Sequence, residues 1–149
     1  VLEPLASYRV VFTRGRRTKI DWAECVREVL EKHYSDAEKV VLVIDNLNTH
    51  GVSSPYEAFA PAEAFWLAEQ LEIHYTPEHG SWLNMAEIEQ SVMARQALSR
   101  RILDREAISR RTTAWQKDRN HQAEATVDWQ FTTEEARIKL KCLYPEVHD

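Results

Sequence analysis

The stretch VVLVIDNLNTH, residues 40–50, runs an apolar, Val/Ile-rich segment straight into Asp45 and Asn46. A run of that composition reads as a strand buried on both faces. In open α/β sheets the reacting groups gather just outside the carboxyl ends of the strands, which makes Asp45 a candidate catalytic carboxylate. The competing reading is an Asp that only opens an Asx-rich turn. A second stretch, PEHGSWLNMAEIEQS at 77–91, carries a helix that presents Asn84 and Glu87 one turn apart. Ser91 extends that polar stripe, and Leu83, Ala94 and Leu98 flank it. A carboxylate on a largely buried stripe is costly unless it is paired or bound to a metal. Glu89 lies off the stripe and is expected to be an ordinary exposed glutamate. Asp45 and Glu87 together suggest shared ligation through oxygen, which favours Mg²⁺ or Mn²⁺ over zinc. Two such ions, roughly 3.5–4 Å apart, clamp the attacking and leaving oxygens of an in-line phosphoryl displacement. His50, His74 and His79 lack the spacing of a compact zinc site. His50 is expected instead to order the loop after Asp45.

Positioning these groups takes an alternation of strands and helices. Residues 8–13 read as a strand turned by Gly15. IDWAECVREVLEKHY reads as a helix, with Asp21 as N-cap and Trp22, Val26, Val29, Leu30 and His33 at helical spacing. The strand 40–45 follows, then a helix from about Pro61 to 71 and a short strand 72–76 ended by Pro77. Gly80 and Ser81 break and cap the chain before a long helix reaching about 102. Two further helices are expected at about 104–123 and 133–143, and TVDWQF between them is a short strand or an ordered loop. This order predicts an α/β domain with a largely parallel sheet and a helical C-terminal third.

Hydrophobic residues make up 44% of the 149 and charged ones 29%, an ordinary globular composition with enough chain for a real core. The net charge of −5 argues against a dedicated nucleic-acid-binding module but not against a local basic face. Between Arg95 and Arg119 eight Lys/Arg face three acids, which could meet phosphates or simply form a solvated helix face. Arg95, Arg100 and Arg101 are candidate DNA contacts there, and Arg14, Arg16, Arg17 and Lys19 form a second basic turn. The tryptophans fit helical stripes and are expected in the core. Cys25 and Cys142 form no CxxC, in keeping with a reducing cytoplasm. No run suits a membrane span. The Asp-ended strand also suits a P-loop ATPase, but none of the three glycines begins a phosphate-binding loop.

Taken in order, VVLVIDNLNTH and YTPEHGSWLNMAEIEQS resemble the second half of the catalytic domain of DDE transposases of the mariner superfamily, in its bacterial insertion-sequence branch. In that group the second catalytic Asp ends a strand as DN…H, and the third carboxylate sits in a helix as LN..E. Asp45, Asn46, His50, Leu83, Asn84 and Glu87 occupy those positions. RRTKIDWAECVREVLEKHY and VDWQFTTEEARIKLKCLYP extend the likeness over nearly the whole chain.

The resemblance implies a ribonuclease H-like fold and Mg²⁺ (or Mn²⁺) held by Asp45 and Glu87, with Asn46, His50 and Asn84 in support. It further implies transposon-end DNA as partner, a homo-oligomer, and DNA cleavage and strand transfer. The family's first Asp has no counterpart: Asp21 reads as a helix cap and Asp36 as a loop residue. The expectation is therefore a C-terminal part, cut within the second strand and lacking the first strand and the helix-turn-helix region, that alone neither nicks nor joins DNA. Residues 40–44 would then lack one neighbour, to be replaced by residues 1–5 or another strand or by edge-to-edge pairing with a second copy, or else the chain folds poorly. The alternative is a non-catalytic remnant that associates with full-length transposase.

Overall fold

The computed structural model describes residues 1–45, 47–76, 85–121, 132–139 and 141. Its elements run in the order β1 (Leu2–Glu3), β2 (Tyr8–Arg9), α1 (Lys19–Lys32), β3 (Val40–Ile44), α2 (Pro55–Ala58), α3 (Pro61–Glu69), β4 (Leu71–Tyr75), α4 (Met85–Ala97), α5 (Arg105–His121) and α6 (Thr133–Lys139). No described helix is long and apolar enough to cross a membrane.

Helix α1 starts at a capping box. The Thr18 hydroxyl accepts from the Asp21 N–H, and the Asp21 carboxylate accepts from the Thr18 N–H. The cap is therefore Thr18, and the expected cap Asp21 is its partner one turn into the helix. The Thr18 hydroxyl also donates to the Asp21 carboxylate, and this bond, with that from the Thr18 N–H, holds the Asp21 carboxyl below its ordinary range. Val26 and Leu30 of α1 pack with Leu67 of α3 and Leu71 of β4, and Trp22, Val40, Phe59 and Ile73 close around them. Pro61 opens α3 at a position where its missing N–H costs nothing. β3 and β4 pair in parallel, with Val40 opposite Leu71 and Ile44 opposite Tyr75.

The expected largely parallel sheet is instead two separate two-stranded sheets among the described residues. The cause lies at the start of the chain, where Leu2–Glu3 pairs antiparallel with Tyr8–Arg9 and not with residues 40–44. Val1 and Val10 extend that pairing through two backbone bonds of 2.8 and 3.1 Å. β3 is also not buried on both faces: Val41 and Val43 are 60% and 57% exposed. The helices α1 and α3 cover one face only, so the alternate residues Val40, Leu42 and Ile44 are the sheltered ones.

The expected strand 8–13 stops at Arg9 as a ladder, yet its continuation has partners. Side chains at every fourth position of α5 bond to every second residue of the segment. Asn120 accepts from the Arg9 N–H and donates to the Arg9 carbonyl, both at 2.9 Å. Gln116 accepts from the Val11 N–H at 2.7 Å, and Thr13 meets Thr112 at 3.2 Å. Four helical residues rise about 6 Å, and two extended residues about 6.6 Å, so the two spacings match over three contacts. A helix stripe thus takes the place of a neighbouring strand. Asn120→Ala would strand both polar groups of Arg9 and is expected to lower stability by about 2 kcal/mol or more, read from urea unfolding.

Helix α4 ends at Ala97, short of the expected 102, and Asp104 then caps α5 through a 2.7 Å bond to the Ala107 N–H. Ser91 of the expected polar stripe of α4 and Ala94 of the apolar surface expected beside it are both exposed. The tryptophans of the described residues are not all core: Trp66 is largely exposed, and Trp22 and Trp115 are partly so. Asn46, Pro77, Gly80, Ser81, Asn84 and the TVDWQF segment lie outside the described residues.

Candidate functional site

Asp45 follows directly on the last residue of β3, at the carboxyl end of the parallel pair. The chain then winds into a tight loop, with the Leu47 N–H bonded to the Asp45 carbonyl and the His50 N–H to the Leu47 carbonyl, both at 2.9 Å. This winding returns the His50 ring to the strand end, where its Nδ1–H donates to Asp45 Oδ1 at 2.8 Å. The carboxylate can only accept, so the bond fixes the proton on Nδ1. Trp22, from the first turn of α1, stacks on the imidazole with ring centroids 5.8 Å apart. From the end of β4, Tyr75 donates to the His50 carbonyl at 3.3 Å. The Ser54 hydroxyl ties the loop further by donating to the Thr49 carbonyl at 3.0 Å. Trp22 therefore holds the imidazole, Tyr75 and Ser54 hold the backbone that carries it, and the imidazole holds one oxygen of Asp45. Its other oxygen, Oδ2, has no hydrogen-bond partner among the described residues.

Glu87 stands in the first turn of α4, half-buried. It makes no hydrogen bond or ion pair with any described residue. α4 packs against α5 and β1. The structure thus joins His50 to Asp45 and leaves Glu87 open, without bonding Glu87 to Asp45. No group of three or more His, Cys, Asp or Glu able to hold a metal occurs among the described residues. Donor chemistry fits a hard divalent ion nonetheless, because the free Asp45 oxygen and the Glu87 carboxylate are both anionic oxygen ligands. Of the other expected residues, Arg95 is exposed and donates to the Ser91 hydroxyl at 2.9 Å. Arg100 and Arg101 lie exposed between α4 and α5. His74 pairs with Glu72 on the exposed side of β4, away from any zinc grouping.

Glu89 overturns its expectation. It is 7% exposed, and both of its oxygens are claimed: Oε2 accepts from Arg9 Nε at 2.7 Å, and Oε1 accepts from Arg119 Nη2 at 2.9 Å. Arg9 itself is 2% exposed and also donates to the Ser7 carbonyl. Burial pushes the Glu89 carboxyl up, but the hydrogen bonds from the two guanidinium groups prevail and hold it below the ordinary range. The signal for this site was the arginine inside the β-branched run YRVVF. A charge in a half-buried strand requires a counter-charge, and sequence distance alone concealed a partner 80 residues away. Trp22 and Tyr75 were missed as supports of His50, since nothing local links residues 22, 50 and 75.

Residues 2–109 match a family model described as DDE superfamily endonuclease. No curated protein and no solved structure matches the chain.

Proposed function

We propose that this chain, which belongs to the DDE superfamily endonuclease family, is the C-terminal part of a transposase catalytic domain of the mariner superfamily, bacterial insertion-sequence branch, with a ribonuclease H-like fold. In this reading Asp45 and Glu87 are two of the carboxylates that hold Mg²⁺ or Mn²⁺ for cleavage and strand transfer of transposon-end DNA. The observation that carries it is a contrast between carboxylates: Glu89 is saturated by two arginines, while Glu87, two residues before it, and one oxygen of Asp45 are left unclaimed among the described residues. Bound Mg²⁺ would supply Lewis-acid stabilisation of charge on the phosphoryl oxygens.

The chain's own residues perform the positioning. His50 holds Asp45 by one oxygen and turns the other outward. Trp22 stacks on the imidazole and Tyr75 anchors the His50 backbone, which is how outer partners tune a ligand. Asn46, next to Asp45, and Asn84, three residues before Glu87, are assigned supporting roles, and Arg95, Arg100 and Arg101 are assigned phosphate contacts. The test is a Mn²⁺ titration followed by the electron paramagnetic resonance of the free ion. Saturable binding, displaced by Mg²⁺ and lost in Asp45→Asn/Glu87→Gln, is expected. Equal binding by that double variant contradicts the assignment.

A further inference from the structure

We propose that the turn at Arg14–Arg17 and the outer stripe of α5 form one phosphate-binding track that takes the backbone of duplex DNA and leads it to Asp45. The inference rests on the DNA-processing reading above and adds a surface to it.

The two basic segments are about 90 residues apart in sequence, yet the structure brings them into contact. A side-chain carbon built on Gly15 would lie 3.0 Å from a guanidinium nitrogen of Arg105, so the turn passes directly beneath the start of α5. Only a residue without a side chain allows that approach unless the arginine shifts. Between them lies an open cleft of about 420 Å³ lined by Thr13, Arg14, Arg105 and Ser109 together with the acids Asp21 and Glu106. A second open cleft of about 550 Å³ continues along α5 past Ser109, Arg110, Thr113 and Lys117.

Residue types along this path follow a period of four. Arg105, Ser109, Thr113 and Lys117 stand on one stripe, with a cation at either end and hydroxyls between, spanning about 18 Å of helix. Arginine, lysine, serine and threonine are the side chains that contact phosphate and sugar, and such contacts position a duplex without reading its sequence. The neighbouring stripe, Thr112, Gln116 and Asn120, lies about 60–100° around the helix and is occupied by residues 9–13. Residues 9–13 therefore flank the phosphate-type stripe, whose Arg105, Thr113 and Lys117 remain exposed. Arg14 is held by Glu24 and Glu28, and Arg110 by Glu106. Arg16, Arg17, Arg105 and Lys117 are exposed and make no ion pair among the described residues. Glu106 and Asp21 are the acids on the path, so the affinity is expected to be moderate and strongly salt-dependent.

Continuity with the carboxylate comes through the first turn of α1. Asp21 lines the cleft, and the next residue, Trp22, stacks on the imidazole that holds Asp45.

The experiment is binding of the 149-residue chain to a fluorescent DNA duplex of arbitrary sequence, in EDTA, over a range of salt. Without divalent ions the readout is independent of Asp45 and Glu87 as ligands, so failure here and failure of the metal titration are separate results. Arg16→Ala/Arg17→Ala/Arg105→Ala/Lys117→Ala is expected to bind at least tenfold more weakly. Its log–log salt slope should be shallower by about 3–4, at about 0.9 per phosphate contact. Lys32→Ala/Lys39→Ala removes charge at the far end of α1 and β3 and is expected to stay within twofold. Arginine-selective labelling of the wild-type chain supplies a readout that needs no variant, with DNA expected to protect Arg16, Arg17 and Arg105. No binding at low salt, an equal loss in the Lys32/Lys39 variant, or protection confined to Arg95, Arg100 and Arg101 would overturn the proposal.

Discussion

Glu89→Ala is expected to lower the unfolding free energy by about 3–5 kcal/mol, the usual cost of breaking a buried ion pair by removing one partner. Arg9 is the reason. Its guanidinium, carried by β2, is sealed from water, and without Glu89 it is a buried charge that has lost a carboxylate counter-charge, although its bond to the Ser7 carbonyl persists. Arg119 is more exposed and can turn toward solvent, so it adds less. The same pair sets a pH dependence. The folded-state carboxyl lies below its ordinary range, whereas the unfolded one titrates near about 4.3. The stabilisation is therefore complete above the unfolded value and is lost as pH falls through the folded one. Denaturant unfolding of wild type should show stability declining below about pH 4.5, and Glu89→Gln should flatten that decline. A loss under 1 kcal/mol for Glu89→Ala would mean that the Arg9–Glu89–Arg119 cluster is not a buried anchor.

A loss of about 100-fold or more in Mn²⁺ affinity is expected for Asp45→Asn, and of about 10–100-fold for His50→Ala. The second figure is the more informative. His50 is assigned no ligand role, and it acts by fixing one Asp45 oxygen at 2.8 Å. Removing it frees the carboxylate to rotate and takes away the support that Trp22 delivers through the ring. Trp22→Ala should weaken binding in the same direction but by less, because the Tyr75 bond to the His50 backbone persists. Glu72→Gln, on the exposed side of β4, serves as a carboxylate control and should leave Mn²⁺ affinity unchanged. Calorimetric titration of the four variants reads all of these. An unaltered His50→Ala would show that the Asp45–His50 bond is local loop structure alone.

The parts legible in sequence were those governed by short-range pattern. The apolar run at 40–44 is a strand that ends at Asp45, Pro61 opens a helix, and the basic stretch after 104 is a helix. Parallel pairing of 40–44 with 71–75 also followed from the strand–helix–strand order. What sequence could not reveal were partners chosen across the chain. The N-terminal segment turned back on residues 8–10, which a strand pattern cannot distinguish from pairing with β3. Glu89 looked like any exposed helical glutamate because its counter-charges come from β2 and α5. The Asp21 misreading was different in kind: Thr18 and Asp21 satisfy the capping-box spacing, and the apolar residue at 20 concealed an earlier start. The contact of Gly15 with Arg105, which joins two basic stretches into one surface, likewise depends on α5 lying beside residues 9–13.

Crystals of the chain grown or soaked with Mn²⁺ and measured at its absorption edge test the central claim most directly. An anomalous peak is expected within about 2.0–2.3 Å of an Asp45 oxygen and of a Glu87 oxygen, as for hard-ion ligation by carboxylates. Full occupancy at another carboxylate group, with Asp45 and Glu87 both free of the ion, would contradict the assignment of these two residues as the metal ligands.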